Sequence, residues 1–276
     1  MEKTVAAAFA ELRRLEESLS VYRSASEWSK INRWAAGKPV RTSKETCLLL
    51  AECLEYSRQS EGAFDISVGP LIRAWGFLKG TGRLPGRAEL AAARANVGYQ
   101  HLSLDATALT VRFDREGVEI NPGGIGKGCA VDRMIHIIEQ EGFDTALVTA
   151  SGSSIYGLGA PPEEPRGWPA DIRDPSGPRE TAATAFLKDM SLSTSGSFEK
   201  SFQIHGRTYS HILDPRTGCP ARRAGSVSVV APRTLDSEAW TKACFINGPE
   251  WTARRKPMGW QVLFCSDNPD HSRAWM

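Results

Sequence analysis

The chain has 276 residues, 41% hydrophobic and 24% charged, with 34 basic against 32 acidic side chains. A chain of this length and composition buries a full core without a metal or disulfide staple. The near balance of charge, formally +2 at pH 7, excludes a broad basic face for nucleic acid but leaves room for a local anion site.

No apolar run approaches the ~20 residues of a membrane span. The opening MEKTVAAAFAELRRLEESL reads as an amphipathic helix and not as a signal peptide. As it stands the chain reads as cytoplasmic, or as periplasmic or membrane-associated if an export signal has been removed. Val5, Phe9, Leu12, Leu15 and Leu19 predict one apolar face on that helix. A second helix is expected from a capping box at Thr42 and Glu45, running through Leu50, Cys53, Leu54 and Ser57 to Gly62. The glycines of GAFDISVGPLIRAWGF, residues 62–77, are too closely spaced for a long helix. A short helix is expected between Pro85 and Gly98. HLSLDATALTVRFDREGVEIN then alternates as a strand meander broken at 105–106 and 116–117.

NPGGIGKG, residues 121–128, is a glycine-rich turn into a helix with Ala130, Met134, Ile137 and Ile138 inward and Gly142 as its stop. TALVTAS reads as a strand, 157–177 as a loop rich in proline and glycine, and SFQIHGRTYSHIL as a hairpin turning at His205 and Gly206. SVSVVAP is a further strand, residues 237–245 a helix, and QVLFC a last strand. With neither repeat nor long linker, the pattern is a mixed α+β single domain over residues 1–276. The six cysteines (Cys47, Cys53, Cys129, Cys219, Cys244 and Cys265) form no C-x-x-C pair and have no zinc spacing. They suit packing in a reducing compartment better than a disulfide framework.

Four stretches could carry chemistry. The turn at Gly123, Gly124, Gly126 and Gly128 is not a Walker A loop, because Asn121 and Gly128 stand where Gly and Ser or Thr are required. On spacing alone two readings stay open: an anion cradle of backbone amides charged by Lys127, or a tight turn with a solvated lysine. SLSTSGSFEK, residues 191–200, gathers hydroxyls around Gly196, as phosphate-binding loops and plain solvent-facing turns both do. In YSHILDPRTGCP, His211 suits a general base, a ligand contact or a structural histidine, and Pro215 and Gly218 mark a turn after Asp214. Glu238 and Lys242 are spaced as an i, i+4 surface ion pair.

In chain order, FDISVGPL, GGIGKG-x-x-x-D ending at Asp132, TSGSFEK and YSHILDPRTG, followed by a late strand and helix, resemble the FAD:protein FMN transferase (ApbE-type flavin transferase) family. The resemblance covers almost the whole chain. It implies a single ApbE-like domain of mixed, largely antiparallel sheet flanked by helices. The implied activity moves FMN from FAD to a threonine hydroxyl of an acceptor flavoprotein through a phosphoester, releasing AMP, with Mg²⁺ at the pyrophosphate. Hydrolysis of FAD to FMN and AMP, as in some relatives, and non-catalytic flavin binding are the alternatives. Residue by residue it implies flavin or adenine contacts at Tyr22 and Asp65, and FAD-lining positions at Cys129, Ser195 and Ile212. It implies His211 as the base, Lys127 at the pyrophosphate, and the Gly126 carbonyl as a backbone metal ligand.

The sequence departs from the family in two places. On the metal-binding helix, the family's Asp and the Thr four residues later fall at Glu238 and Lys242. Glutamate can hold Mg²⁺, but a protonated lysine cannot, which weighs against a bound ion. Two readings of Lys242 stay open: its ammonium stands in the region of the missing cation, against Glu238 or the pyrophosphate, or it points to solvent as exposed i, i+4 pairs more often do. Where the family shows an N-x-G-G-D-type segment, Thr149, Ser151 and Ser153 replace the amide, a glycine and the carboxylate, and Asn121 stands where many relatives carry Asp. One anion fewer and one cation more both reduce the need for a divalent metal.

Overall fold

The computed structural model describes residues 1–177, 180–267 and 272–276. Helices α1 (Glu2–Leu19) and α2 (Glu27–Trp34) precede strand β1 (Val40–Arg41) and helix α3 (Lys44–Gln59). Helices α4 (Gly69–Ala74) and α5 (Arg87–Ala95) lead to the hairpin of β2 (Leu102–Asp105) and β3 (Thr110–Phe113). The glycine-rich turn opens α6 (Gly126–Gln140), followed by β4 (Ala146–Ala150), β5 (Ser154–Leu158), β6 (Trp168–Arg173), β7 (Thr181–Leu187) and β8 (Met190–Gly196). Next come β9 (Ser201–Ile204), β10 (Arg207–Ser210), β11 (Leu213–Asp214), β12 (Cys219–Pro220) and β13 (Ser226–Ala231). The chain closes with α7 (Thr234–Asn247), α8 (Pro249–Arg255), β14 (Gln261–Cys265) and β15 (Arg273–Trp275). All ladders among the described strands are antiparallel, beside one isolated parallel bridge from Val68 to Glu119. The fold is α+β with largely antiparallel sheet, as expected.

The chain divides into two compact units. The first comprises residues 1–16, 123–198 and 223–276; the second comprises 17–122 and 199–222. In the first, one six-stranded sheet runs in the order β15-β14-β13-β8-β5-β4. Its register sets Ser191, Ser193 and Ser195 of β8 opposite Ala231, Val229 and Val227 of β13, so these six share one face. That face is covered by α7, whose Ser237 and Thr241 meet the serine hydroxyls. On the other face, Leu192, Val230, Leu263 and Cys265 pack with Ala170, Ile172, Ala185 and Leu187 of the β6–β7 hairpin. In the second unit, β1-β3-β2 form a three-stranded sheet, and Leu71, Trp75, Phe77 and Leu213 make a core with Phe202 and Tyr209 packed on it. The β9–β10 hairpin turns at His205 (φ 50°) and Gly206 (φ 73°). Two successive positive φ values match the right-handed twist of the strands, and glycine adopts one without strain.

Several expectations are corrected. On α1 the buried stripe is Thr4, Ala8, Leu15 and Leu19, while Val5 and Phe9 are each 49% exposed. Alanine and threonine carry the stripe here, and a count of large apolar residues alone misplaces it. The cap of α3 is Ser43, which accepts from Thr46 N; the reciprocal carboxylate is Glu27, from α2, and not Glu45. Residues 191–196 are a buried central strand and not a loop, because alternate serines find partners on α7 and so need no solvent. The expected 157–177 loop contains β6, where Ala170 and Ile172 alternate with exposed Pro169, Asp171 and Arg173. Of the expected meander only β2 and β3 form strands. On α6, Val131 and Ile135 are buried with Ala130, whereas Met134, Ile137 and Ile138 are half-buried.

Candidate functional site

The first unit holds Gly126, Lys127, Cys129, Ser195, Glu238 and Lys242. Helix α6 begins at Gly126 behind Ile125, a residue with no side chain able to cap it. The cap comes from α7 instead: Glu238 Oε2 accepts the Gly128 N–H. The two helices approach so closely that a Cβ at Gly128 would lie 2.6 Å from the Thr234 carbonyl oxygen. Part of the glycine-rich motif is therefore a packing requirement, and one of its amides is spent on Glu238. The remaining charge at this helix start is Lys127, whose ammonium donates to the Ser153 hydroxyl. Where a carboxylate would neutralise it, a neutral hydroxyl leaves its charge in place.

The Glu238–Lys242 pair exists, at 3.5 Å between Nζ and Oε1, but it is not a surface pair: the Glu238 side chain is 1% exposed and that of Lys242 22%. Helix α7 lies against both β8 and α6, which takes Glu238 out of solvent. Ser195 Oγ donates to Thr241 Oγ1 at 2.8 Å, and Thr241 donates on to the Glu238 carbonyl at 2.7 Å. Cys129 is a buried cysteine on α6. Asp132, the last residue of the GGIGKG-x-x-x-D motif, answers Glu238: its two oxygens accept Thr234 N at 2.7 Å and Leu235 N at 2.9 Å, capping α7. Burial pushes the Asp132 carboxyl above the usual range, against the pull of those amides.

The second unit holds Tyr22, Asp65, His211 and Ile212. His211 follows β10, and its backbone N–H and ring Nδ1 both meet the Lys200 carbonyl, at 3.0 and 3.1 Å. A carbonyl only accepts, so Nδ1 carries the proton in the neutral ring and Nε2 is the basic nitrogen. The ring stands edge-on to Phe77, in a cluster where Phe202 and Tyr209 stack across the hairpin at 5.2 Å and Trp75 lies 5.6 Å from Tyr209. Asp65 is buried, accepting from Ser67 N, Ser67 Oγ and Tyr99 N; burial raises its carboxyl above the ordinary value, and these bonds oppose the rise. Tyr22 is 64% exposed and donates to the Leu78 carbonyl at 2.6 Å. Ile212 is buried, and its carbonyl accepts from Ala221 N. The Asp214–Gly218 turn is as expected, with Arg216 forked on Asp214 and Gly218 at φ 74°.

Asp132, Ser237, Thr241 and the Trp75–Phe77–Phe202 cluster are contributors that the sequence pattern does not single out. For Asp132 a signal was present in its fixed place in the motif. For the others, hydroxyls and aromatics without a ligand pattern gave none.

Magnesium, implied by the resemblance, is not matched by these donors. Of the two Glu238 oxygens, Oε2 takes the Gly128 amide and Oε1 faces the Lys242 ammonium. A divalent ion about 4 Å from an ammonium meets a repulsion on the order of 8 kcal/mol at an effective dielectric near 20. The residues present do not fit Mg²⁺ beside Glu238.

The class that the fold defines is an α+β protein of antiparallel sheets, with a lysine at its glycine-rich helix start. The profile of the ApbE family matches residues 2–264. The chain is 32% identical to the FAD:protein FMN transferase of Treponema pallidum (strain Nichols), over 88% of this chain and 70% of that protein. It is 28% identical to that of Escherichia coli (strain K12), over 95% and 76%. Among solved structures, the ApbE protein of Thermotoga maritima MSB8 superposes with a TM-score of 0.90 at 28% identity, covering 99% of this chain and 88% of that one. The apo form of the Pseudomonas stutzeri flavinyl transferase ApbE gives 0.86 at 30%, covering 100% and 85%. The chain belongs to the ApbE family.

Proposed function

We propose that this chain is an enzyme that transfers FMN from FAD to a protein acceptor and releases AMP, with a threonine hydroxyl as the acceptor group. The observation that carries the reading is similarity along nearly the whole chain to FAD:protein FMN transferases, in sequence and in fold. In the reaction the hydroxyl oxygen forms a bond to the FMN phosphorus, the bond from that phosphorus to the AMP oxygen breaks, and AMP leaves with its electron pair. His211, with Nδ1 held on the Lys200 carbonyl, is assigned to take the hydroxyl proton at Nε2. Lys127 is assigned to neutralise charge on the phosphoryl oxygens. Tyr22, Asp65, Cys129, Ser195 and Ile212 are assigned to the surroundings of the flavin nucleotide, on the strength of the resemblance.

Incubation of the full chain with FAD and a threonine-containing acceptor tests the reading, with in-gel flavin fluorescence and AMP release read together. Fluorescent acceptor with equimolar AMP is the expected result. AMP and FMN released equally without acceptor would make the protein an FAD pyrophosphatase. FAD binding with neither product would make it a flavin-binding protein.

A further inference from the structure

We propose that the Lys242 ammonium is a resident cation, built into α7, that takes beside Glu238 the place and charge a divalent ion would otherwise supply, so that the chain binds a pyrophosphate-bearing nucleotide without divalent metal. The inference deepens the function proposed above and rests on it for the identity of the nucleotide.

A carboxylate 1% exposed stays ionised only where its oxygens are compensated. The Gly128 amide compensates Oε2. Oε1 is buried and accepts no hydrogen bond; what faces it is Lys242 Nζ at 3.5 Å. That separation makes a charge pair and not a close hydrogen bond. The Lys242 side chain is still 22% exposed, so its charge is not sealed inside the unit with the carboxylate. The same helix start carries Lys127, held by the neutral Ser153 hydroxyl. Glu238 and Lys242 offset each other, and Lys127, one residue before Gly128, carries charge of the sign that a pyrophosphate requires. The simpler reading, a solvated i, i+4 pair, does not survive the burial of Glu238.

The test uses the full chain stripped with EDTA. Mn²⁺ binding is read by electron paramagnetic resonance and FAD affinity by quenching of flavin fluorescence. The unsubstituted chain is expected to bind no stoichiometric Mn²⁺, and its Kd for FAD to change by less than about twofold between EDTA and Mg²⁺. Lys242→Thr is expected to gain one Mn²⁺ and to bind FAD about tenfold more weakly in EDTA, recovering with Mg²⁺. Lys242→Gln, which keeps a donor for Oε1 and guards against misfolding of the threonine variant, is expected to lose FAD affinity in EDTA to a similar extent. Stoichiometric Mn²⁺ on the unsubstituted chain overturns the proposal. So does loss of its FAD affinity in EDTA, a folded Lys242→Thr that binds no Mn²⁺, or either variant keeping full FAD affinity in EDTA. If no form of the protein binds FAD, the functional reading fails, and the Mn²⁺ spectra decide the resident cation by themselves.

Discussion

Asp132 and Glu238 cap each other's helices: the α6 carboxylate holds the first amides of α7, and the α7 carboxylate holds the Gly128 amide at the start of α6. Neither helix is capped by a side chain of its own N-cap residue, Ile125 or Arg233. Each therefore begins with amide donation to a carboxylate of its neighbour, and each carboxylate lies at the positive end of a helix dipole. The arrangement fixes the glycine-rich turn that carries Lys127 and the helix that carries Lys242.

Asp132→Ala strips both amides of their acceptor, and a loss of about 1–2 kcal/mol of stability is expected. Asp132→Asn keeps one accepting oxygen and should fall between the variant and the parent. Urea unfolding followed by circular dichroism measures both. Equal stability of all three proteins would contradict the capping role.

Gly128→Ala places a methyl group 2.6 Å from the Thr234 carbonyl oxygen and 2.9 Å from Leu235 Cα. Both neighbours are backbone, so α6 and α7 must part, at a cost of about 1–3 kcal/mol. Gly37→Ala is the control, since its Cβ would meet nothing nearer than 3.9 Å, and its effect should stay within about 0.5 kcal/mol. Thermal melts that move equally for the two variants would rule out the close approach.

Legibility followed the range of each interaction. The helix after GGIGKG, the hairpin turn at His205 and Gly206 and the Asp214–Gly218 turn are specified by neighbours in sequence, and the sequence reading locates all three. Strand β8 is not readable in the same way, because its hydroxyl residues look like a solvated loop until α7 supplies Ser237 and Thr241 as partners 46 residues away or nearly so. The burial of Glu238 is likewise set by a residue 110 positions distant, so local spacing reports the pair with Lys242 and misses its depth. On α1 the apolar count favours Val5 and Phe9, whereas packing selects the smaller Thr4 and Ala8.

Asp174 gives the acid end of the stability curve a sign. The Ser176 hydroxyl first, then the Ser176 amide and Arg273, hold its carboxyl down to about 2 from an ordinary 3.8. A lowered folded value means that the charged form stabilises the fold above the unfolded value and that this contribution is lost as pH falls from about 3.8 towards 2. Asp65 and Asp132 are shifted upward; their contributions are fully present below the unfolded value and decline as pH rises through the folded one. The difference between the parent and Asp174→Asn isolates the first effect. The parent's urea midpoint should fall more than the variant's between pH 5 and pH 2.5, and parallel changes would refute the assignment.

His211 and Lys127 should separate by the step each affects. His211→Gln removes the imidazole base, and transfer of FMN to acceptor is expected to fall by about 10²–10⁴-fold, with FAD affinity within about threefold of the parent. Lys127→Ala removes the cation at the start of α6, so FAD affinity should fall by at least about tenfold, more steeply at low than at high ionic strength because screening already weakens the parent's contact in salt. Fluorescence titration gives the affinities, and single-turnover AMP release gives the chemical step. Base chemistry predicts that the rate of the parent rises with pH and that the residual rate of His211→Gln does not. A His211→Gln protein that binds FAD normally and transfers at the parent rate would show that the histidine serves the aromatic cluster of Phe77, Phe202 and Tyr209 and not the reaction.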